Sequence, residues 1–219
     1  PNAPVNNTNT SSATVTFNFT VTDTVATTLT CNLTLDPTNS TRGAVINTST
    51  TVQNGTATTF IHTIQQGQHT WNTRCLDAVS LSNQTNNLTF SVATTLPTIT
   101  LNFPPNTSIL NSKGFAFNFT PFSTVFTLFT DCNLTIDPTN TTGGGIINSS
   151  SSVSNGTVTS YQTLVADGSH TWNVQCRDPA NNVGFSANNT FTFDTTKPSV
   201  DMGFLDANVI EQTSFGPGA

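Results

Sequence analysis

Charge is what this chain has least of. Charged residues make up 7% of its 219 positions, against about 25% in an ordinary soluble domain. Lysine occurs only as Lys113 and Lys197, and glutamate only as Glu211. A single glutamate argues against a paired-carboxylate hydrolase. No basic patch exists, so nucleic-acid binding lacks its electrostatic footprint and no such partner is expected. No run of 18 apolar residues appears, so no membrane-spanning helix is expected. Gly-x-Ser-x-Gly and His-Glu-x-x-His are absent, and nothing marks out a Ser-His-Asp set. The expectation is a non-enzymatic chain with no catalytic residue, no metal ligand and no cofactor. The first ten residues, PNAPVNNTNT, are polar and carry no signal-peptide core. They read as a processed end or a cut from something longer.

Thr, Ser and Asn replace charge as the wetting residues, and they fall in a pattern that occurs twice. FNFT at Phe17–Thr20 recurs at Phe117–Thr120. CNLTLDPTN from Cys31 recurs as CNLTIDPTN from Cys132, and HTWNTRCLD from His69 as HTWNVQCRD from His170. The offset is 100 residues before the first cysteine and 101 from it onward. Self-similarity at this period indicates two domains, expected at residues 1–95 and 96–196 with a tail at 197–219. Each copy alternates with period 2. Phe17, Phe19 and Val21 face one way and Asn18 and Thr20 the other; Leu29, Cys31 and Leu33 alternate with Thr30 and Asn32. Such runs predict half-buried strands, and the turn signals between them (Asp36-Pro37, Asn54-Gly55, Gly143–Gly145, Asp178-Pro179) predict an all-β sandwich in each repeat.

Trp172, Cys176, Asp178, Ala180, Asn181 and Asn182 form a strand that ends in a D-x-A-x-N turn. This resembles the penultimate strand of prokaryotic immunoglobulin-like surface repeats, and implies two tandem immunoglobulin-like β-sandwich domains. The first copy departs from the motif, reading Asp77-Ala78-Val79-Ser80, so its turn is expected to differ.

Four cysteines fall as Cys31/Cys75 and Cys132/Cys176, each pair 44 residues apart. Four permit three connectivities, and the repeat favours the pairing within each domain, on neighbouring strands of one sheet. A Cys₄ metal site would need close paired spacings, which are absent. Disulfides imply an oxidising, extracellular setting. His69 and His170 share the inward parity of Trp71 and Trp172 and are expected to cap the core. Asp36 and Asp137 open D-P-T-N turns, where an Asx side chain is expected to bond its own backbone rather than to hold calcium.

Asn-x-Ser/Thr occurs at Asn6, Asn9, Asn18, Asn32, Asn39, Asn47, Asn54, Asn83, Asn87, Asn106, Asn118, Asn133, Asn140, Asn148, Asn155 and Asn188. That is about twice the number composition alone gives. Asn18, Asn32, Asn87, Asn118, Asn133 and Asn188 take the outward parity of their strands, while Asn39, Asn54, Asn140 and Asn155 sit in turns. Both settings suit N-linked glycans, which would supply the missing solubility and blunt the sheet edges.

The second repeat opens with LPTITLNF, Leu96–Phe103, and the same pattern returns as KPSVDMGF, Lys197–Phe204. Ile99, Leu101 and Phe103 are expected to face inward on a first strand, with Val200, Met202 and Phe204 matching them. Pro1 corresponds to Leu101, so the first repeat is expected to have an incomplete first strand. Two explanations follow: a cut from a longer array, or a donor strand offered to the next copy in a head-to-tail homopolymer. The ensemble resembles prokaryotic, especially archaeal, cell-surface proteins. It implies an extracellular filament or pilus subunit, with a stalk or S-layer segment or an adhesin as the alternative.

Overall fold

The computed structural model describes residues 1–37, 43–138 and 145–200. The first repeat supplies β1 (Thr8–Thr10), β2 (Thr14–Thr20), β3 (Thr28–Leu35), β4 (Ala44–Gln53), β5 (Ala57–Thr63), β6 (Gly67–Leu76), β7 (Ser82–Gln84) and β8 (Leu88–Val92). One sheet runs β1-β8-β6-β3-β4, with β7 also on β6, and β2-β5 lies opposite. The second repeat supplies β9 (Thr98–Phe103), β10 (Ser108–Leu110), β11 (Ala116–Phe122), β12 (Leu128–Phe129), β13 (Asp131–Ile136), β14 (Gly145–Ser150), β15 (Val153–Ser154), β16 (Thr159–Gln162), β17 (Gly168–Arg177), β18 (Val183–Phe185) and β19 (Asn189–Phe193). Its larger sheet, β10-β19-β17-β13-β14 with β18 on β17, repeats the first. Its opposing sheet is β16-β11-β9, and β12 pairs β15.

Period-2 alternation is what builds these layers. On β2, Val15, Phe17 and Phe19 are buried while Thr14, Thr16 and Thr20 are exposed. The inner faces meet around Trp71 in one domain and Trp172 in the other, both fully buried. Phe17 meets Trp71 edge-on at 5.2 Å, and Phe117 meets Trp172 at 5.1 Å, the offset geometry that ring quadrupoles favour. The chain is thus two tandem immunoglobulin-like β-sandwiches. Cys31 stands directly opposite Cys75 on β3 and β6, and Cys132 opposite Cys176 on β13 and β17. Both pairs are disulfide-bonded, each tying neighbouring strands of one sheet.

One sequence expectation changes in part. The turn at Asp77 keeps the backbone bonding of the one at Asp178 and differs in its side chains: Asn182 Nδ2 donates to Asp178 Oδ2, a bond Leu81 cannot make. Asp77 Oδ1 accepts from Val79 and Leu81 N–H groups, as Asp178 Oδ1 does from Ala180 and Asn182. The leading Asp supplies every backbone bond of the turn, so the residues after it can vary. The Asp36 carboxylate also reaches across to β6. Oδ2 meets His69 Nδ1 at 2.9 Å and Oδ1 accepts from Thr70 N at 2.9 Å, pinning Asp36 to β6. Asp137 and His170 repeat the arrangement at 2.8 Å. His69 and His170 also lie against Phe90 and Phe191, at the end of the core as their parity predicts.

The domains meet through side chains of both. Asn182 Nδ2 donates to Ala93 O at 2.7 Å. Gln66 Oε1 accepts from the backbone N–H groups of Thr94 and Thr95, and its Nε2 donates to Thr124 Oγ1.

Candidate strand-acceptor groove

The two domains part company at the edge of the smaller sheet. In the second domain β9 pairs with β11 along Leu101↔Phe119, Thr100↔Thr120, Ile99↔Pro121 and Thr98↔Phe122. Ile99 and Leu101 pack on the core, and Phe103 meets Phe115 at 6.3 Å. In the first domain, among the described residues, the same edge of β2 is met only by Asn2 and Ala3, which bond the backbone of Asn18. Among the described residues no strand pairs with that edge past Asn18.

Past that point the first domain has an open groove of about 430 Å³. Its wall is Phe19, Thr20, Val21 and Thr22, the positions whose counterparts hold β9 in the second domain. Leu29, Thr73, Cys75 and Leu81 line it further, with β7 on the far side. The groove therefore presents an unpaired strand edge beside apolar side chains, the combination an added β-strand completes. Thr73, where the second domain has Val174, is buried, and its hydroxyl has no hydrogen-bond partner among the described residues.

Gly184 on β18 explains how closely β9 is held. A Cβ at Gly184 would stand 2.0 Å from the carbonyl oxygen of Pro97. Only glycine lets the backbone run there. By register the first-domain counterpart is Asn83, opposite Cys75 as Gly184 is opposite Cys176.

One rim of the groove is fixed by a side chain. Asn54 Oδ1 accepts from Asp23 N at 2.9 Å, and its Nδ2 donates to Asp23 O at 2.7 Å and Ala26 O at 2.8 Å. Asn155 makes the same three bonds to Ser123 and Phe126. Both amide hydrogens of each asparagine are thus committed to the loop. The turn position that marked these two sequons as attachable also gives them this clamping role. Asp23 completes the loop by accepting from the N–H groups of Ala26 and Val25, which hold its carboxyl below the ordinary value.

Of the remaining sequon asparagines, Asn6, Asn9, Asn83, Asn87, Asn106 and Asn188 are exposed. Asn18, Asn32, Asn47, Asn118, Asn133 and Asn148 are half-buried on strand faces. Asn39 and Asn140 lie outside the described residues, as do Met202 and Phe204. Val200 is described and 87% exposed. Among the described residues no three His, Cys, Asp or Glu side chains gather as a metal site would require. No helix among them is long and apolar enough to cross a membrane.

No protein-family profile matches the chain, and no curated protein aligns with it. Among solved structures it is similar to the fibronectin(III)-like modules of Clostridium thermocellum CbhA, at 12% identity and TM-score 0.39, covering 87% of this chain and 90% of that one. It is also similar to a tetra-tandem repeat from the extending region of a large adhesion protein, at 16% identity and TM-score 0.43. That match covers 84% of this chain and 47% of the other, about half its length. A third similarity is to the D0–D1 domain of Intimin, at 13% identity and TM-score 0.30, covering 85% of this chain and 95% of that one.

Proposed function

We propose that this chain is the structural subunit of a glycosylated extracellular filament or pilus on a cell surface. In that assembly residues 198–202 of one copy lie in the first-domain groove of the next. The open groove carries this reading, together with the sequence match between its filled counterpart and the tail. Val200 and Met202 match Ile99 and Leu101 of the second domain in sequence, while Phe204 matches Phe103, whose place opposite Asn18 is held in the first domain by Ala3. Burying Val200 and Met202 would contribute about 1.5–3 kcal/mol each, and the unpaired β2 edge would gain its ladder. A head-to-tail contact that does not close on itself propagates as a fibre. The two disulfides suit an oxidising exterior. N-linked sugars on the exposed sequons would do the solubilising that 7% charge cannot.

A second reading has its own support. The clamp of Asn182 on Ala93 and of Gln66 on Thr124 joins the two domains end to end, as a stalk segment of a longer surface chain requires. Electron microscopy of the full chain at neutral pH separates the two. Filaments with an axial repeat near the length of two sandwiches, abolished by Val200→Asp or Met202→Asp, support strand exchange. Isolated two-lobed particles from the unaltered chain contradict it and favour the stalk.

A further inference from the structure

We infer that Asn83 controls the groove: an oligosaccharide N-linked to it and a strand lying in the groove exclude each other. This rests on the strand-exchange reading and adds its regulation. Directly opposed residues of antiparallel neighbours project to one face. Cys75 faces the core, and Asn83, opposite it, lines the groove. In the second domain that face is in contact with the seated strand, since not even a Cβ fits between Gly184 and Pro97. A bare Asn83 turns aside only the residue at Pro198, the counterpart of Pro97. Ser199 to Met202 would pair farther along, beside Phe19–Thr22. An oligosaccharide starting from the same side chain would begin at the mouth of the channel the strand must fill.

The Asn83 amide is also free to be modified. The residue is exposed, its Oδ1 accepts from Gln84 N at 2.8 Å, and its Nδ2 has no partner among the described residues. Asn54 and Asn155, with both amide hydrogens bonded, are the contrast. Transfer would use a lipid-phosphate-linked oligosaccharide. The Asn83 nitrogen bonds the anomeric carbon, the anomeric carbon–oxygen bond to phosphate breaks, and the amide loses one proton. The sequon Asn83-Gln84-Thr85 meets the acceptor pattern. A copy modified at Asn83 would offer its own tail and accept none, ending growth on that side.

The test uses the full chain made in a glycosylating host, with filaments separated from unassembled chain by sedimentation. Glycopeptide mass spectrometry then reads Asn83 in each fraction. The expected result is an occupancy at least about tenfold lower in filaments than in unassembled chain. Asn83→Gln and Asn83→Gly should both raise the assembled fraction, the glycine variant more. Equal occupancy in the two fractions, or a bare Asn83 in both, overturns this inference and leaves strand exchange standing. No filaments from any chain, Asn83→Gly included, overturns strand exchange and this inference with it.

Discussion

The second domain is the first with its groove filled, and the cores of the two show what filling does. In the second, Phe117, Phe119, Phe129, Cys132, Leu134, Trp172, Val174, Cys176 and Phe191 belong to one continuous core, against which Ile99 and Leu101 pack. In the first, the equivalent side chains fall into two groups. One surrounds Trp71 and Phe90; the other surrounds Phe19, Leu29 and the Cys31–Cys75 bridge. Along β6 the inward residues are Trp71, Thr73 and Cys75, so Thr73 stands between the groups where Val174 joins them. A seated strand and a continuous core occur together, and an open edge and a divided core occur together. The two differences meet in one place: Thr73 lines the open groove, and half-buried Phe60 is the side chain that still touches both groups.

Removing the strand's contribution from the filled domain gives the largest expected effect. Leu101→Ala should destabilise the second domain by about 2–4 kcal/mol through lost burial and the cavity left behind. Calorimetry should show its transition moving down toward that of the first domain. An unmoved transition would mean that β9 is decoration rather than part of the core. Next in size is an exchange at the dividing position. Thr73→Val should stabilise the first domain by about 1–3 kcal/mol by removing a buried hydroxyl without a partner. Val174→Thr should destabilise the second by a similar amount, both read from denaturant midpoints. If both substitutions lower stability, the division of the first core has another cause.

The smallest effect concerns the loop at the groove's rim. Asp23 has its carboxyl held below the ordinary value by two N–H groups, whereas its counterpart Ser123 does not titrate. A depressed folded-state pKa gives a stabilisation present above the unfolded value and lost as pH falls through the folded one. Below about pH 4 the amides of Val25 and Ala26 should exchange faster, while those of Val125 and Phe126 keep their rate. Hydrogen-exchange mass spectrometry reads the difference, and equal acceleration in both loops would contradict it.

Much of this was legible in the sequence because it follows local rules. Period-2 alternation needs only neighbours, so Phe17, Phe19, Trp71 and Phe90 could be assigned inward before any fold was seen. The repeat paired Cys31 with Cys75, and the match of Lys197–Phe204 to Leu96–Phe103 singled out the tail. What stayed hidden depends on strands meeting across the sandwich. The Asp36–His69 and Asp137–His170 pairs recur at the repeat offset, so a signal existed, but their contact appears only when the corner folds onto β6. Asn54 looked like an exposed turn because its sequon is local and its three partners lie 28 to 31 residues away. The exchange of Gly184 for Asn83 is one letter in a run where the repeats diverge. Its meaning needs the distance to Pro97.

The claim at the centre is that the first-domain groove accepts the tail. A chain ending at residue 196, titrated with a peptide of residues 197–219 and followed by amide NMR, tests it most directly. Saturable shifts confined to Phe19–Thr22, Leu29 and Leu81, lost when the peptide carries Met202→Asp, are the predicted result. No shifts at those residues, or the same shifts with the Met202→Asp peptide, would contradict it.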